Sequence, residues 1–403
     1  MSKRAQVLIV GAGLSGLTAA YRLDRAGVDV AVMEARDRVG GRAWRLPVGD
    51  ASFDAGGEAL DYEHAALRKL ADELRVGVWE APPWSSEPPG DLEGRDAELF
   101  EEFRHEVEAL AERVDPDHPE ALERAGELDR QTLAGWLEER GASTRVLEAV
   151  EAWIAVASSS VPTSEMSLLA YAAKLAAGAA PTGLTLRFQG GPAALAAGLA
   201  AALDGRIRLE ASVLGVHGEG DGVGIRLRDG TVERADRVVV AVPLTLQRHI
   251  RFDPPLPEHR RHALMEARYG SVVKEAALFQ VAPRLPTPDL SQDGHFYVAA
   301  HEPRLLVRFA GAGAAAREVA LERLVGTRPE ARASVDWSHE GWTRGSYLIL
   351  RPGHLLAWGA RLGEPHGRVH FAGAERSTLK SYMEGAVRAG EEVAEEILAA
   401  RAG

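Results

Sequence analysis

Cysteine is absent from the 403 residues. Disulfides, thiolate metal sites, cysteine nucleophiles and a cysteinyl link to a prosthetic group are therefore excluded. Asparagine is also absent, and only five of the 47 basic residues are lysine. Loss of thermolabile residues accounts for this; codon bias from a GC-rich genome accounts for it more simply. Positive charge is in deficit overall. The net charge of −12 argues against nucleic acid or an anionic membrane as the main partner. Long apolar runs are missing too. The nearest, residues 168–180, carries Lys174 and falls short of the ~20 residues that span a bilayer. The N-terminal Lys3-Arg4 and the apolar run behind them lack a small-residue cleavage site, so no targeting segment is visible and a cytoplasmic location is expected. No internal repeat is evident.

The apolar stretch Val7 to Val10 leads into Gly11-Ala-Gly13-Leu14-Ser15-Gly16, then a helical pattern to Arg25, then a second apolar run from Val28 to Met33 that ends on Glu34. This is strand, tight turn, helix, strand. Gly11 permits the turn, Gly13 lets backbone approach a pyrophosphate, and Gly16 lets helix and strand pack closely. The helix N-terminus offers free N–H groups and its positive dipole end to phosphate. Glu34 stands where a carboxylate takes both hydroxyls of an adenosine ribose and repels a 2′-phosphate, so a dinucleotide other than NADP is expected.

A second glycine turn follows at once: Ala35-Arg36-Asp-Arg-Val-Gly40-Gly41-Arg42. With it the chain resembles the flavin-containing amine oxidases, the monoamine oxidase-like family. The resemblance implies an α/β fold, in which a Rossmann-like FAD-binding domain of discontinuous segments carries an inserted α+β substrate domain. It implies FAD held by Gly11, Gly13, Leu14, Ser15, Gly16, Glu34, Ala35, Arg36, Gly40, Gly41, Arg42, Gly56, Gly57, Val213, Trp337, Gly373, Glu375, Tyr382, Met383 and Ala386. Ser346 stands where mitochondrial relatives carry the flavin-bonding cysteine, so the FAD is expected to be non-covalent.

Composition along the chain places the segments. Residues 1–79, 185–264 and 345–403 are assigned to the FAD-binding domain, and 80–184 and 265–344 to the substrate domain. Pro82, Pro83, Pro88, Pro89 and Gly90 break regular structure at the first crossing. Leu99, Phe103, Val107, Leu110 and Val114 then fall on one helix face. A further helix starts at Leu133, with Asp129 as its N-cap; the aromatic residues Trp136, Trp153 and Tyr171 read as core. Ile207 to Glu210, Val213 to Val216, Val223 to Leu227 and Val238 to Val242 read as strands. Asp229-Gly230 is a hairpin signal, and the last of these strands is apolar enough to be buried on both faces. Residues 269–279, 296–298 and 305–309 read as strands of the substrate domain, and Glu318 to Leu324 as a short helix. Val369 to Phe371 is a strand ending in the turn at Gly373, and Ser381 opens the last helix. His339, His354, His366 and His370 show no metal spacing and read as surface or loop residues; no metal is expected.

Three residues match the family's chemistry. Tyr347 and Tyr382 fall where the family places two aromatic rings that align the amine, and electron-rich ring faces suit an amine nitrogen. Lys274 interrupts an apolar strand and matches the family's flavin-side lysine. Burial would lower its pKa and make it a proton relay. The implied reaction is hydride transfer from a primary monoamine to flavin N5. Hydrolysis of the imine to aldehyde and ammonia follows, and O2 is reduced to hydrogen peroxide. Glu58 and Asp61 follow the flavin-side glycines and are candidates for a second ammonium, which keeps polyamine or diamine oxidation open. L-amino acid oxidation, a desaturase and an FAD-binding protein without turnover are the other readings. A small-molecule amine and O2 are the expected partners, with neither nucleic acid nor membrane; a homodimer is compatible with the chain.

Overall fold

The computed structural model describes residues 5–81, 92–158, 162–179, 185–283, 289–291, 294–311 and 321–402. Its first elements are β1 (Ala5–Val10), α1 (Leu14–Arg25) and β2 (Val30–Met33). The two strands pair in parallel, Val7 with Val30 through Val10 with Met33. A parallel pair needs a crossover, and α1 supplies it, burying Leu17, Ala20 and Leu23.

An eight-stranded sheet grows around this unit. Its order runs Arg251–Asp253, Val213–Glu219, Gly222–Leu227, Val232–Val240, β1, β2 and Ile207–Arg208, with Val369–Phe371 pairing on Val232–Val240. The strand ending at Val240 is central and its last three residues are fully buried. That is why it reads as a continuous apolar run. Asp229 and Gly230 turn the hairpin that precedes it. On one face lie α1, Pro192–Ala202 and the last helix, Met383–Ala402. Gly390 brings that helix close, since a Cβ there would lie 2.6 Å from the Ser15 carbonyl oxygen. The other face packs against Leu169, Ala172 and Ala173 of the helix Leu168–Ala176.

A second sheet of five strands, in the order Asp289–Ser291, Gly294–Val298, Leu305–Gly311, Val272–Leu278, Ala331–Asp336, is antiparallel throughout. Lys274 lies on a strand with partners on both sides, not on an edge. The helices Gly94–Ala111, Leu133–Glu138, Thr144–Ser158 and Leu168–Ala176 bury Phe103, Trp136, Trp153 and Tyr171 in one cluster, as their periodicity requires. The Pro-rich break at 82–90 and residues 318–320 of the expected helix lie outside the described residues; the rest of that helix is present as Leu321–Val325.

Two expectations are corrected. The N-cap of the helix starting at Leu133 is Thr132, whose hydroxyl accepts from the Gly135 N–H at 2.9 Å. Asp129 is instead buried in the preceding helix, where it accepts from Ser167 Oγ at 2.7 Å and from the Leu356 N–H at 3.0 Å. His370 is not a surface residue. It is 3% exposed on the strand Val369–Phe371, with Nδ1 3.2 Å from Glu396.

Gly16 fixes the approach of α1 to the first turn. A Cβ there would lie 2.0 Å from the Gly11 carbonyl oxygen, which is backbone and cannot swing away. Gly16→Ala is therefore expected to destabilise the fold by about 1–3 kcal/mol through overpacking. Urea unfolding would show this as a lower midpoint at unchanged slope; an unchanged midpoint would contradict it.

Candidate active site

The first turn begins with Gly11 at φ 104°, a conformation only glycine adopts freely. Its neighbour Ala12 is held from two directions. The Ala12 N–H donates to Glu34 Oε2 at 2.7 Å, and the Ala12 carbonyl accepts from the Gly40 N–H at 2.8 Å. Gly13 and Gly40 form a parallel bridge, so the two glycine turns are zipped together. Glu34 Oε1 accepts from the Arg36 N–H at 2.9 Å. The closing segment joins them, its Gly373 N–H donating to Ser15 Oγ at 2.8 Å.

These turns wall one cavity of about 610 Å³. Of the residues expected to hold FAD, all but Gly16 line it, and so do Lys274, Tyr347 and Tyr382. Gly16 packs against the Gly11 carbonyl. At Gly13 no protein atom lies within 4 Å of where a Cβ would stand, so the backbone faces open space in front of the helix N-terminus. The wall thus fits an elongated phosphate-bearing group at this end. Gly56 and Gly57 owe their lack of side chains to protein neighbours. A Cβ at Gly56 would lie 1.8 Å from the Arg42 carbonyl oxygen, and one at Gly57 2.8 Å from Met383 Sδ.

Two buried carboxylates anchor the middle of the cavity. Glu375 Oε1 accepts from Arg42 Nη2 at 3.0 Å and from the Tyr269 hydroxyl at 2.6 Å. Tyr269 Oη in turn accepts from the Leu244 N–H at 3.2 Å. Burial, and then Glu375, pushes the Tyr269 hydroxyl well above its usual range, so it stays a donor. Glu58 Oε2 accepts from Lys274 Nζ and from the Tyr297 hydroxyl, both at 2.6 Å. Lys274 also donates to the Gly56 carbonyl at 3.4 Å. Sequence reasoning missed Tyr269, Tyr297 and Arg187, since a tyrosine or arginine carries no local mark of the carboxylate it will meet. It named Glu58 but assigned it to a substrate ammonium. Trp337 is buried and donates its Nε1–H to the Ala55 carbonyl at 2.9 Å. Ser346 Oγ donates to the Gly270 carbonyl at 3.0 Å.

At the far end, Tyr382 is half-buried. His64 packs edge-on against it at 5.6 Å, and Lys174 Nζ lies 5.0 Å from its ring centre. Burial pushes the Tyr382 hydroxyl up, with Tyr347 and Asp61 adding to the effect. Burial also pulls Lys174 down to about 7. Among the described residues no cluster could hold a metal ion, and no helix is long and apolar enough to cross a membrane.

With this geometry in hand, the relatives decide the family. The model of the flavin-containing amine oxidoreductases matches residues 14–398. The chain belongs to that family. It is 28% identical to a probable flavin-containing monoamine oxidase A of Dictyostelium discoideum over 98% of both chains. It is 26% identical to the flavin-containing amine oxidase B of Mus musculus over 99% of this chain and 87% of that one. Putrescine oxidase in complex with putrescine superposes with a TM-score of 0.90 at 26% identity, covering 98% of this chain and 99% of that one. Cyclohexylamine oxidase from Brevibacterium oxydans does so at 0.83 and 26%, with the same coverage. The mixed α/β architecture and the flavin requirement follow from this membership.

Lys174 generates a prediction with a definite sign. Burial takes its pKa to about 7 in the fold, from the usual 10.5. Between those values the unfolded chain binds more protons, so the residue's penalty is full below about pH 7 and vanishes as pH rises past about 10.5. Lys174→Met is expected to raise the melting temperature at pH 6.5 and to do so much less at pH 10. An equal gain at both pH values would contradict the assignment.

Proposed function

We propose that this chain is an FAD-dependent oxidase of primary monoamines, with the FAD held without a covalent bond. The observation that carries the reading is the placement of Lys274, Tyr347 and Tyr382 on one cavity with both glycine turns and the closing segment. When bound, FAD supplies the two-electron chemistry, accepting hydride from the amine α-carbon and passing both electrons to O2 to give hydrogen peroxide.

The chain's own residues do the rest. The α1 N-terminus and the backbone at Gly11 and Gly13 would hold the pyrophosphate, and Glu34 the adenosine ribose. Arg42, fixed by Glu375 and by the Ser346 carbonyl at 2.7 Å, lines the route between the dinucleotide end and the tyrosines. Ser346 has an oxygen where a thiol would be needed for a flavin link, which supports non-covalent binding. Tyr347 and Tyr382 present ring faces to the amine nitrogen, and their enclosure disfavours the ammonium form, so the substrate is held neutral with its α-carbon directed inward. Lys274 presents its Nζ as a donor on the cavity wall, able to hold the water that hydrolyses the imine to aldehyde and ammonia.

A diamine is the second reading, and Asp61 favours it. Its carboxylate is buried, accepts from the Tyr62 N–H at 2.8 Å and acts electrostatically on Tyr382. A second ammonium would find it beside the aromatic site. The test is anaerobic addition of arylalkyl monoamines, diamines and L-amino acids to the yellow protein. The reading expects monoamines to bleach the flavin fastest. Fastest bleaching by diamines would move the assignment to Asp61, and bleaching by none would leave an FAD-binding protein without amine turnover. Tyr382→Ala and Tyr347→Ala are each expected to lower kcat/KM on the order of 10- to 100-fold by losing substrate alignment. An unchanged kcat/KM in both would remove the aromatic pair from the mechanism.

A further inference from the structure

Glu58 is engaged by donors from three separate parts of the chain. Lys274 Nζ and the Tyr297 hydroxyl converge on its Oε2 at 2.6 Å each, and Arg187 Nε stands 3.6 Å from its Oε1. All four side chains are buried. Glu58 and Lys274 lie on the cavity wall, whereas Tyr297 and Arg187 do not line it. Those two meet the cavity wall through Glu58.

Resting on the amine-oxidase reading, we propose that Glu58 is a positioning residue for Lys274. It fixes the Nζ on the cavity wall, so that Lys274 acts as a donor of fixed direction. A buried cation needs a counter-charge, and the Glu58 carboxylate 2.6 Å away supplies it. The neighbours support this division of charge. Burial pushes Glu58 up, but Lys274 and Arg187 outweigh it and bring the carboxyl down to about 2. Burial pulls His295 down to about 4, so this ring is neutral, and burial followed by Glu58 raises Asp54 to about 6. A carboxylate engaged in this way is not free to take the distal ammonium of a diamine.

The test uses the holoenzyme with Glu58→Gln, Glu58→Asp, Lys274→Met and the double variant E58Q/K274M. E58Q is expected to lower kcat roughly 10- to 100-fold with KM changed by no more than about twofold. In the K274M background E58Q should add no more than about a further twofold, because both changes remove the same device. A direct readout comes from the lysines, of which the chain has only five. With carbon-13 at Cε, the resonance that K274M deletes reports the environment of the Lys274 side chain. It should move in E58Q, which loses the counter-charge, and return toward its wild-type position in E58D. Additive losses in the double variant, or a Lys274 resonance unmoved in both Glu58 variants, would overturn the proposal. Should no amine reduce the flavin, the functional reading fails, yet the lysine resonance still decides the role of Glu58.

Discussion

The closure of two glycine turns on each other is the constraint on which the rest of this structure depends. Gly40 donates to Ala12, Gly13 bridges Gly40, and Glu34 takes both the Ala12 and Arg36 N–H groups. The contact works only because Gly11 adopts a positive φ and Gly16 has no Cβ. It sets the wall against which the later cavity-lining segments are placed. The strand Val232–Val240 pairs onto β1, and the closing segment ties to Ser15 through Gly373. Residues from the beginning, middle and end of the chain thereby meet on one cavity.

Charge in that cavity is arranged in two compensated clusters. Glu375 is met by Arg42 and Tyr269, and Glu58 by Lys274 and Tyr297. Each carboxylate is buried and has at least one cation and one hydroxyl, the condition under which a buried charge is retained. The aromatic end is different. Tyr382 has a histidine edge and a lysine near its ring. The two ends thus differ: one carries compensated carboxylates, the other an aromatic ring with a cation beside it.

The parts legible in the sequence are those whose physics is local. Glycines that must turn or pack tightly, an acid at a strand end and a fully apolar central strand each leave a mark within a few residues. The helical faces of Phe103 and Val107 do so by period. The parts that were not legible depend on partners far along the chain. Asp129 looks like a helix cap by its position but is drawn inward by Ser167 and Leu356. His370 shows nothing to distinguish it from a loop histidine until the last helix brings Glu396 to it. Glu58 follows two glycines, and sequence gives no sign that Lys274, more than 200 positions later, will be its counter-ion. Gly56 and Gly57 line the cavity, but the reason for their small size is contact with Arg42 and Met383.

The claim at the centre of this account is that the zipped turns hold an FAD without a covalent bond. Acid precipitation of the purified yellow protein, followed by chromatography of the supernatant, tests it directly. The account predicts that all the flavin is released and runs as FAD. Flavin that stays with the precipitate, or a released flavin without the adenylate half, would contradict it.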